Sequence, residues 1–377
     1  MSIASDRSDA AAAAAAASAP PPSYVVVTAT HAEQPGATMR VAGLTIVERA
    51  IKQFAQAPHT RVIVASDGTV ALPPSLPPNA EVQTVADGAA AASIASGLGA
   101  AVVGGDVVRV ARGDAGTRVT DETGRRAAED AVFTALFRPD LGFVARRLNK
   151  PISVRFTRRI LVATAITPNQ ITLVAAAFGL VGCALIAAGG YAAMVAGFAC
   201  QQLQSILDGC DGELARVRMQ QSKLGAWLDT FVDDVLNVLI TISIGIGLAR
   251  SGAGAWAAAV GIAGGAMLVA SNLIIMTDMR RQHASGDLMD MVWWFSGGKK
   301  LGAAAAPTPD KRPGIGDILF TMGRRDSALL LWLVFALVGL PVLALIMAAI
   351  IALAWFVASV VQLVVRPGAP GGATNLR

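Results

Sequence analysis

The hydrophobic pattern changes character near residue 169. From there to residue 366, long apolar runs dominate, broken only by short Gly, Pro or charged punctuation. A membrane-spanning helix needs about 20 apolar residues. Six stretches meet or approach that length: 170–190, 191–211, 225–249, 254–277, 327–340 and 342–365. The fifth is short, and Pro341 parts it from the sixth, so those two read as one kinked pair or a tight hairpin. Before residue 139 the pattern is different. Short β-branched or apolar runs at 24–28, 61–66, 81–85 and 101–111 read as strands, and helical spacing of apolar positions appears at 44–54 and 89–98. Strands alternating with helices predict a small domain built on a parallel sheet. The predicted fold class is mostly α, a polytopic membrane protein with six transmembrane helices and a small N-terminal α/β domain.

Between these regions lies a basic stretch, 139–168. Arg146, Arg147, Lys150, Arg155, Arg158 and Arg159 interleave with Phe143, Val144, Leu148, Ile152, Phe156 and Ile160. That alternation predicts an amphipathic juxtamembrane helix facing anionic headgroups. Thr167-Pro168-Asn169 breaks it before the first span. Residues 1–22 are Ala/Ser/Pro-rich and end in three prolines, which predicts a disordered tail without a secretory signal. Residues 367–377 form a C-terminal tail. The expected organisation is therefore tail 1–22, α/β domain 23–138, juxtamembrane segment 139–168, membrane domain 169–366 and tail 367–377.

Composition supports the membrane reading. The 377 residues are 54% hydrophobic and 15% charged, against about 25% charged in a typical soluble protein. The net charge of +5 does not point to nucleic acid, because no stretch mixes basic and aromatic residues as a nucleic-acid groove does. It follows the loops instead. The turns near Gly189-Gly190, Arg250-Ser251 and 339–341 carry almost no charge, whereas the opposite side carries Arg216, Arg218, Lys223, Arg280, Arg281, Lys299, Lys300, Lys311, Arg312, Arg324 and Arg325. The positive-inside rule then puts both termini in the cytoplasm and the protein in the cytoplasmic (inner) membrane. The loop 279–326 contains Trp293-Trp294-Phe295, expected at the membrane interface. Cys183, Cys200 and Cys210 lie in apolar segments without a zinc spacing and read as small buried hydrophobes.

The chemistry concentrates between Leu207 and Asn237. Ionisable groups inside spanning segments are costly and usually functional. Two adjacent spans here hold five carboxylates near their cytoplasmic ends. Asp208 and Asp211 are three residues apart, and Asp229 and Asp233 are four apart, so each pair shares one helix face. Antiparallel helices joined at this end bring the faces together, and the converging carboxylates need cations. All-oxygen ligands suit Mg²⁺ or Mn²⁺, and four carboxylates can hold two ions, a good clamp for a pyrophosphate. A cation-coupled transporter could also use such a cluster, but no pair of interrupted helices in matching halves marks an inverted repeat.

The pattern D-x2-D-G-x2-A-R-x8-G-x3-D-x3-D is complete here as Asp208, Asp211, Gly212, Ala215, Arg216, Gly225, Asp229 and Asp233. It resembles the signature of the CDP-alcohol phosphotransferase family. The resemblance extends over about residues 139–366. Pro168-Asn169-Gln170-Ile171-Thr172 is similar to the start of that family's first span. Asp140-Leu141-Gly142-Phe143, Asn149-Lys150-Pro151-Ile152-Ser153 and Arg324-Arg325-Asp326 resemble its di-myo-inositol-phosphate phosphate synthase branch. The resemblance implies a multi-pass transferase that moves a phosphoalcohol group from a CDP-alcohol to an acceptor hydroxyl and releases CMP, as in phospholipid or inositol-phosphate biosynthesis. It implies Asp208, Asp211, Asp229 and Asp233 around two Mg²⁺ ions, with Asp233 as the base on the acceptor hydroxyl. Gly212, Ala215, Arg216, Gly225, Asn169 and Thr172 would form the nucleotide site. Arg155, Arg158 and Arg159 could hold a phosphorylated polyol acceptor, and the membrane domain would pair as a homodimer. Asp234 falls outside the signature and reads as an ordinary helix acid.

In that branch the membrane domain is often fused to a sugar-phosphate cytidylyltransferase, which the N-terminal domain resembles weakly. Residues 24–30, Met39-Arg40-Val41-Ala42-Gly43 and Gly104-Gly105-Asp106 fall where such a domain has its first strand, its lysine-bearing segment and a metal-binding Asp. The departures are larger. A nucleotide-cradling loop needs several small residues so that backbone N–H groups reach the phosphates. The corresponding segment, His31-Ala32-Glu33-Gln34-Pro35-Gly36, has one glycine. The domain is therefore expected to be degenerate and noncatalytic, with Asp106 a strand-end turn residue.

Overall fold

A computed structural model describes residues 23–30, 36–57, 59–110, 116–137, 142–282, 291–294, 296 and 324–365. The chain divides into two compact units, one of residues up to Ala135 with Val217–Met219, the other of the remainder.

The first unit is a parallel sheet with helices on both faces. Strand β1 (Ser23–Ala29) lies at its centre between β4 (Thr60–Ser66) and β6 (Ala101–Gly104), and β5 (Ala80–Thr84) pairs with the far side of β4. Alternate residues of β1 serve opposite cores. Val27 packs with Val47, Ile51 and Phe54 of helix α1 (Ile46–Ala55), and Val26 packs with Ala91 and Ala95 of helix α2 (Gly88–Leu98). That two-sided burial explains why β1 reads as an unbroken Val run rather than an alternating one. Local chemistry sets the helix starts. Thr45 caps α1 by accepting from the Glu48 N–H at 3.3 Å, and Asp87 caps α2 by accepting from Ala90 N–H at 2.8 Å. Between β1 and α1, strands β2 (Arg40–Val41) and β3 (Leu44–Thr45) form a hairpin whose two turn residues, Ala42 and Gly43, both have positive φ.

The strand expected at 101–111 is cut short. After Gly104 the chain turns through Gly105-Asp106 into β7 (Val107–Val108), which pairs with β8 (Thr117–Arg118). Asp106 is fully buried, and the Arg118 guanidinium lies 3.0 Å away. Burial holds its carboxyl above the usual range, and the pairing with Arg118 opposes that. A third helix, α3 (Glu122–Thr134), begins at Asp121, which accepts from Gly124 N–H at 2.7 Å. Residues 31–35, most of the segment expected where a nucleotide loop would sit, lie outside the described residues.

The second unit is helical. A single wide turn (Ala145–Asn149) leads into α4 (Lys150–Arg159), followed by a tight turn (Leu161–Ala163). The long helices are α5 (Pro168–Ala188), α6 (Tyr191–Val217), α7 (Lys223–Leu248), α8 (Ala255–Arg281), α9 (Arg325–Leu337) and α10 (Pro341–Val365). Thr167 opens α5 with a capping box. Its hydroxyl accepts from Gln170 N–H, and the Gln170 side chain accepts from Thr167 N–H at 2.9 Å. Pro168 fills the first turn, where its missing N–H costs nothing.

Four helical stretches are long and apolar enough to cross a membrane: Pro168–Ala188, Lys223–Ala253, Ala255–Arg281 and Pro341–Val365. Helix α6 has 27 residues, ample length at about 1.5 Å per residue, but buried Gln201, Gln202, Gln204, Asp211 and Glu213 lower its apolar character. Helix α9 has 13 residues, about 20 Å of rise against a hydrocarbon core of about 30 Å. Large apolar side chains point outward along these helices, among them Leu173 and Val181 on α5, Leu273 on α8 and Ile350 on α10. With four helical stretches long and apolar enough to span a bilayer, such an outward surface suits a membrane-embedded unit.

Small residues let the helices approach closely, as expected where lipid gives no hydrophobic drive for association. A Cβ on Gly245 of α7 would come within 2.8 Å of the Gly261 Cα on α8. A Cβ on Gly182 of α5 would come within 2.9 Å of the Gly197 carbonyl on α6.

Two expectations are corrected here. The juxtamembrane segment is not one continuous helix. Its wide turn, α4 and the tight turn follow one another, and Asn149, Lys150, Ser153 and Thr157 are buried against α6. Trp293 is also not an outward-facing side chain. It is buried against Trp355 of α10 with ring centres 5.4 Å apart, whereas Trp294 is exposed and Phe295 lies outside the described residues.

Candidate metal centre

The site forms where the end of α6 faces the start of α7. Ser222 caps α7 by accepting from Gly225 N–H at 3.0 Å, which fixes the helix start at Lys223, after the five residues that follow α6. Asp229 then lies one turn beyond Gly225 and Asp233 one turn further, both on the side facing Asp208. One carboxylate oxygen from each of Asp208, Asp229 and Asp233 lies within 4.8 Å of the other two.

Asp211, the fourth predicted ligand, is buried and differently engaged. Its carboxylate accepts from the Thr172 hydroxyl and from Gly212 N–H. Thr172 thus meets an aspartate at the start of α5. Asn169, one turn earlier, faces Gly225: a Cβ on that glycine would sit 3.0 Å from Asn169 Oδ1 and 3.0 Å from Ser222 Oγ. Gly212 lies beside Arg216, whose Nη2 would be 3.4 Å from a Cβ there. Ala215 is half-buried and Arg216 is exposed. The signature residues therefore gather at one end of α5, α6 and α7.

Two members of the cluster were not read as site residues. Arg325, at the first turn of α9, makes an ion pair with Asp233 and donates from Nη2 to Gln204 Oε1 at 2.9 Å. Gln204 in turn lies 3.5 Å from Asp208 Oδ1 through its amide nitrogen. The only sequence signal for Gln204 was a polar residue in an apolar run. For Arg325 it was membership of Arg324-Arg325-Asp326. The three arginines proposed for an acceptor, Arg155, Arg158 and Arg159, lie on the exposed side of α4, and the guanidinium that meets the aspartates is that of Arg325.

Three clustered carboxylates repel strongly, and one arginine offsets a single charge. Asp229 Oδ1 is buried and accepts no hydrogen bond, a costly state for a carboxylate oxygen unless a cation takes the place of a donor. An all-oxygen donor set of this kind fits a hard divalent cation such as Mg²⁺ better than a soft one. Among the described residues, this is the one group of three or more acids or metal-ligating side chains close enough to share an ion.

Residues 165–295 match the family described as CDP-alcohol phosphatidyltransferase. Over 120 residues the chain is 37% identical to the bifunctional IPC transferase and DIPP synthase of Archaeoglobus fulgidus, covering 32% of this chain and 23% of that protein. It is 40% identical over 114 residues to the protein of the same description from Thermococcus kodakarensis, covering 30% of this chain and 25% of the relative. The Aquifex aeolicus counterpart is 37% identical over 114 residues, with the same two shares. The chain thus matches about a quarter of the length of these relatives.

Proposed function

We propose that residues 165–295, which match the family described as CDP-alcohol phosphatidyltransferase, are a transferase domain of that kind, and that the protein is a membrane transferase moving a phosphoalcohol group from a CDP-alcohol to an acceptor hydroxyl, with CMP released. The observation that carries the reading is the convergence of Asp208, Asp229 and Asp233 from two helices, with Asp211 held beside them by Thr172. The relatives' names, IPC transferase and DIPP synthase, favour an inositol-phosphate-type group over a phosphatidyl group. A cation transporter finds no support in these likenesses.

Asp208, Asp211, Asp229 and Asp233 would hold two divalent ions, Mg²⁺ or Mn²⁺. Bound there, such ions neutralise the donor pyrophosphate and the charge that develops on its oxygens. The chain's own residues supply the rest. Thr172 fixes the Asp211 carboxylate by donating to it. Gly212, Ala215, Gly225 and Asn169 leave a small-walled space for the cytidine, and Arg216 is available to its phosphates. Asp233 accepts the proton from the acceptor hydroxyl as that oxygen attacks phosphorus and the bond to CMP breaks. Arg325, paired with Asp233, orients its carboxylate and brings positive charge to the acceptor side, a role first assigned to Arg155, Arg158 and Arg159. The experiment that tests this reading is a screen of CDP-alcohol donors against polyols and polyol phosphates, read by CMP formation from purified protein in detergent. No CMP with any pair would sink it.

The membrane domain crosses the bilayer six times in this reading, with α6 and α9 completing the four apolar spans, in the cytoplasmic membrane with both termini cytoplasmic and as a homodimer. A cysteine introduced near Lys299 should be labelled from the cytoplasm, and one near Gly190 from the opposite side. Labelling of both from one side would contradict the six-span topology.

The N-terminal unit is noncatalytic in this reading. Asp106 is occupied by Arg118 rather than open to a metal. The full-length protein should therefore not form a CDP-alcohol from CTP and a sugar phosphate. Pyrophosphate release above the blank in that assay would show a working second active site.

A further inference from the structure

Asn149-Lys150-Pro151-Ile152-Ser153 stands out in the sequence, yet none of it reaches the aspartate cluster. Its partners are on the back of α6. Asn149 donates from Nδ2 to Ser205 Oγ at 3.2 Å and accepts from Gln202 Nε2 at 2.7 Å. A Cβ on Gly209 would meet Ser153 Oγ at 3.5 Å, so α4 and α6 lie close there. One turn further along α6 is Glu213, which is fully buried. Its carboxylate accepts from Ser153 Oγ at 2.5 Å and from Thr157 Oγ1 at 2.8 Å, and Lys150 Nζ lies 2.9 Å away. Lys150 is itself nine-tenths buried.

The spacing shows what this contact controls. At about 100° per residue, Glu213 and Asp211 project about 200° apart around α6. Gln202, Gly209 and Glu213 form one stripe, against α4. Gln204, Asp208 and Asp211 form the opposite stripe, toward α5, α7 and Arg325. Helix α6 is thus gripped from behind at the level where it presents its aspartates. A roll of about 20° would carry a carboxylate about 6 Å from the helix axis through about 2 Å, a large move where the three oxygens lie within 4.8 Å. Apolar contacts, being non-directional, accommodate part of such a roll more readily. A buried carboxylate with three partners resists it, because rolling strands a charge.

We infer that Glu213 and Lys150 are positioning residues: their buried pair, with Ser153 and Thr157, locks the roll of α6 and thereby sets Asp208 and Asp211 against Asp229 and Asp233. The inference rests on the proposed metal-dependent reading for its consequence, though not for its geometry.

The test uses the full chain in detergent with Mn²⁺ as the probe. Lys150→Met/Glu213→Leu replaces the pair by apolar groups of similar size, a change that buried ion pairs often survive without loss of stability. Its thermal unfolding should match wild type, while its Mn²⁺ affinity, followed by the spectrum of the free ion, falls roughly 10–100-fold, as for outer partners of metal ligands. Spin labels at the exposed positions Leu203 on α6 and Phe231 on α7, with the three native cysteines replaced by Ala, should give a broadened or shifted distance. Lys150→Arg, which keeps the charge, should retain Mn²⁺ affinity within a few-fold. A stable double variant with wild-type affinity and wild-type label distance overturns the inference. If the wild type binds no Mn²⁺, the functional reading fails, and the label distances alone decide whether the pair sets the roll. Should the double variant not fold, Glu213→Gln, which loses the charge and can still accept from one hydroxyl while donating to the other, is judged by the same measurements.

Discussion

Asp208→Ala, Asp211→Ala and Asp229→Ala are each expected to reduce CMP formation by at least roughly 10³-fold, and excess chelator should do the same to the wild type. The size follows from charge. Neutralising a pyrophosphate and its departing oxygen is worth several kcal/mol, and about 4 kcal/mol corresponds to about three powers of ten in rate. Asp208 and Asp229 each contribute an oxygen to the group that lies within 4.8 Å, so losing either leaves two carboxylates where three were built. Asp211 loses its role differently, because its carboxylate also ties α5 to α6 through Thr172. Part of the Asp211→Ala effect should therefore appear as reduced stability. Chelation separates the two contributions, since it removes the ion and leaves every side chain. Mg²⁺ added after chelation should restore activity to the wild type and not to the variants. Full activity in excess chelator would end the metal-dependent reading.

The residues differ in how readily the chain announces them. The gathering of Asp208, Asp229 and Asp233 was legible because helical periodicity and charge act together. Carboxylates three or four residues apart inside apolar runs must share a face and must face something polar. The start of α5 was legible only as a break at Thr167-Pro168-Asn169; the capping box that Thr167 makes with Gln170 emerged from the structure. The end of α6 was not legible. Apolar character stops near Asp211, yet the helix runs on to Val217, because the backbone ladder continues wherever side chains such as Leu214 remain buried. Helix α3 was also missed, since its buried positions, Ala128, Val132 and Phe133, are too few to show a period. Least legible were Gln204 and Arg325. They are 121 positions apart, and nothing local to either says that they meet beside Asp208 and Asp233. The Lys150–Glu213 pair was hidden for another reason. In sequence, Lys150 looks like one more cation of a basic helix, and only the packing of α4 on α6 reveals it as buried.

Asp233→Asn is expected to keep donor binding and lose turnover. The amide has the carboxylate's shape but cannot take a proton from the acceptor hydroxyl. Removal of a general base costs ~10²–10⁴-fold, and Asp233 also supplies an oxygen to the cluster, so the loss should reach the upper end of that range. Arg325 sharpens the expectation. Its guanidinium pairs with Asp233, and an amide there leaves that cation without its counter-charge while Asp208, one glutamine away, remains. Arg325 should then turn toward Asp208, making the site more positive toward a phosphate and not less. Donor affinity should consequently hold within a few-fold while the chemical step collapses, a split that loss of the ion alone would not give, because Asp208→Ala weakens both. The deciding measurement is single-turnover CMP formation at saturating donor, with donor affinity measured separately by calorimetry. Turnover at the wild-type rate would remove Asp233 from the role of base and make Asp234, the next residue along α7, the one to test.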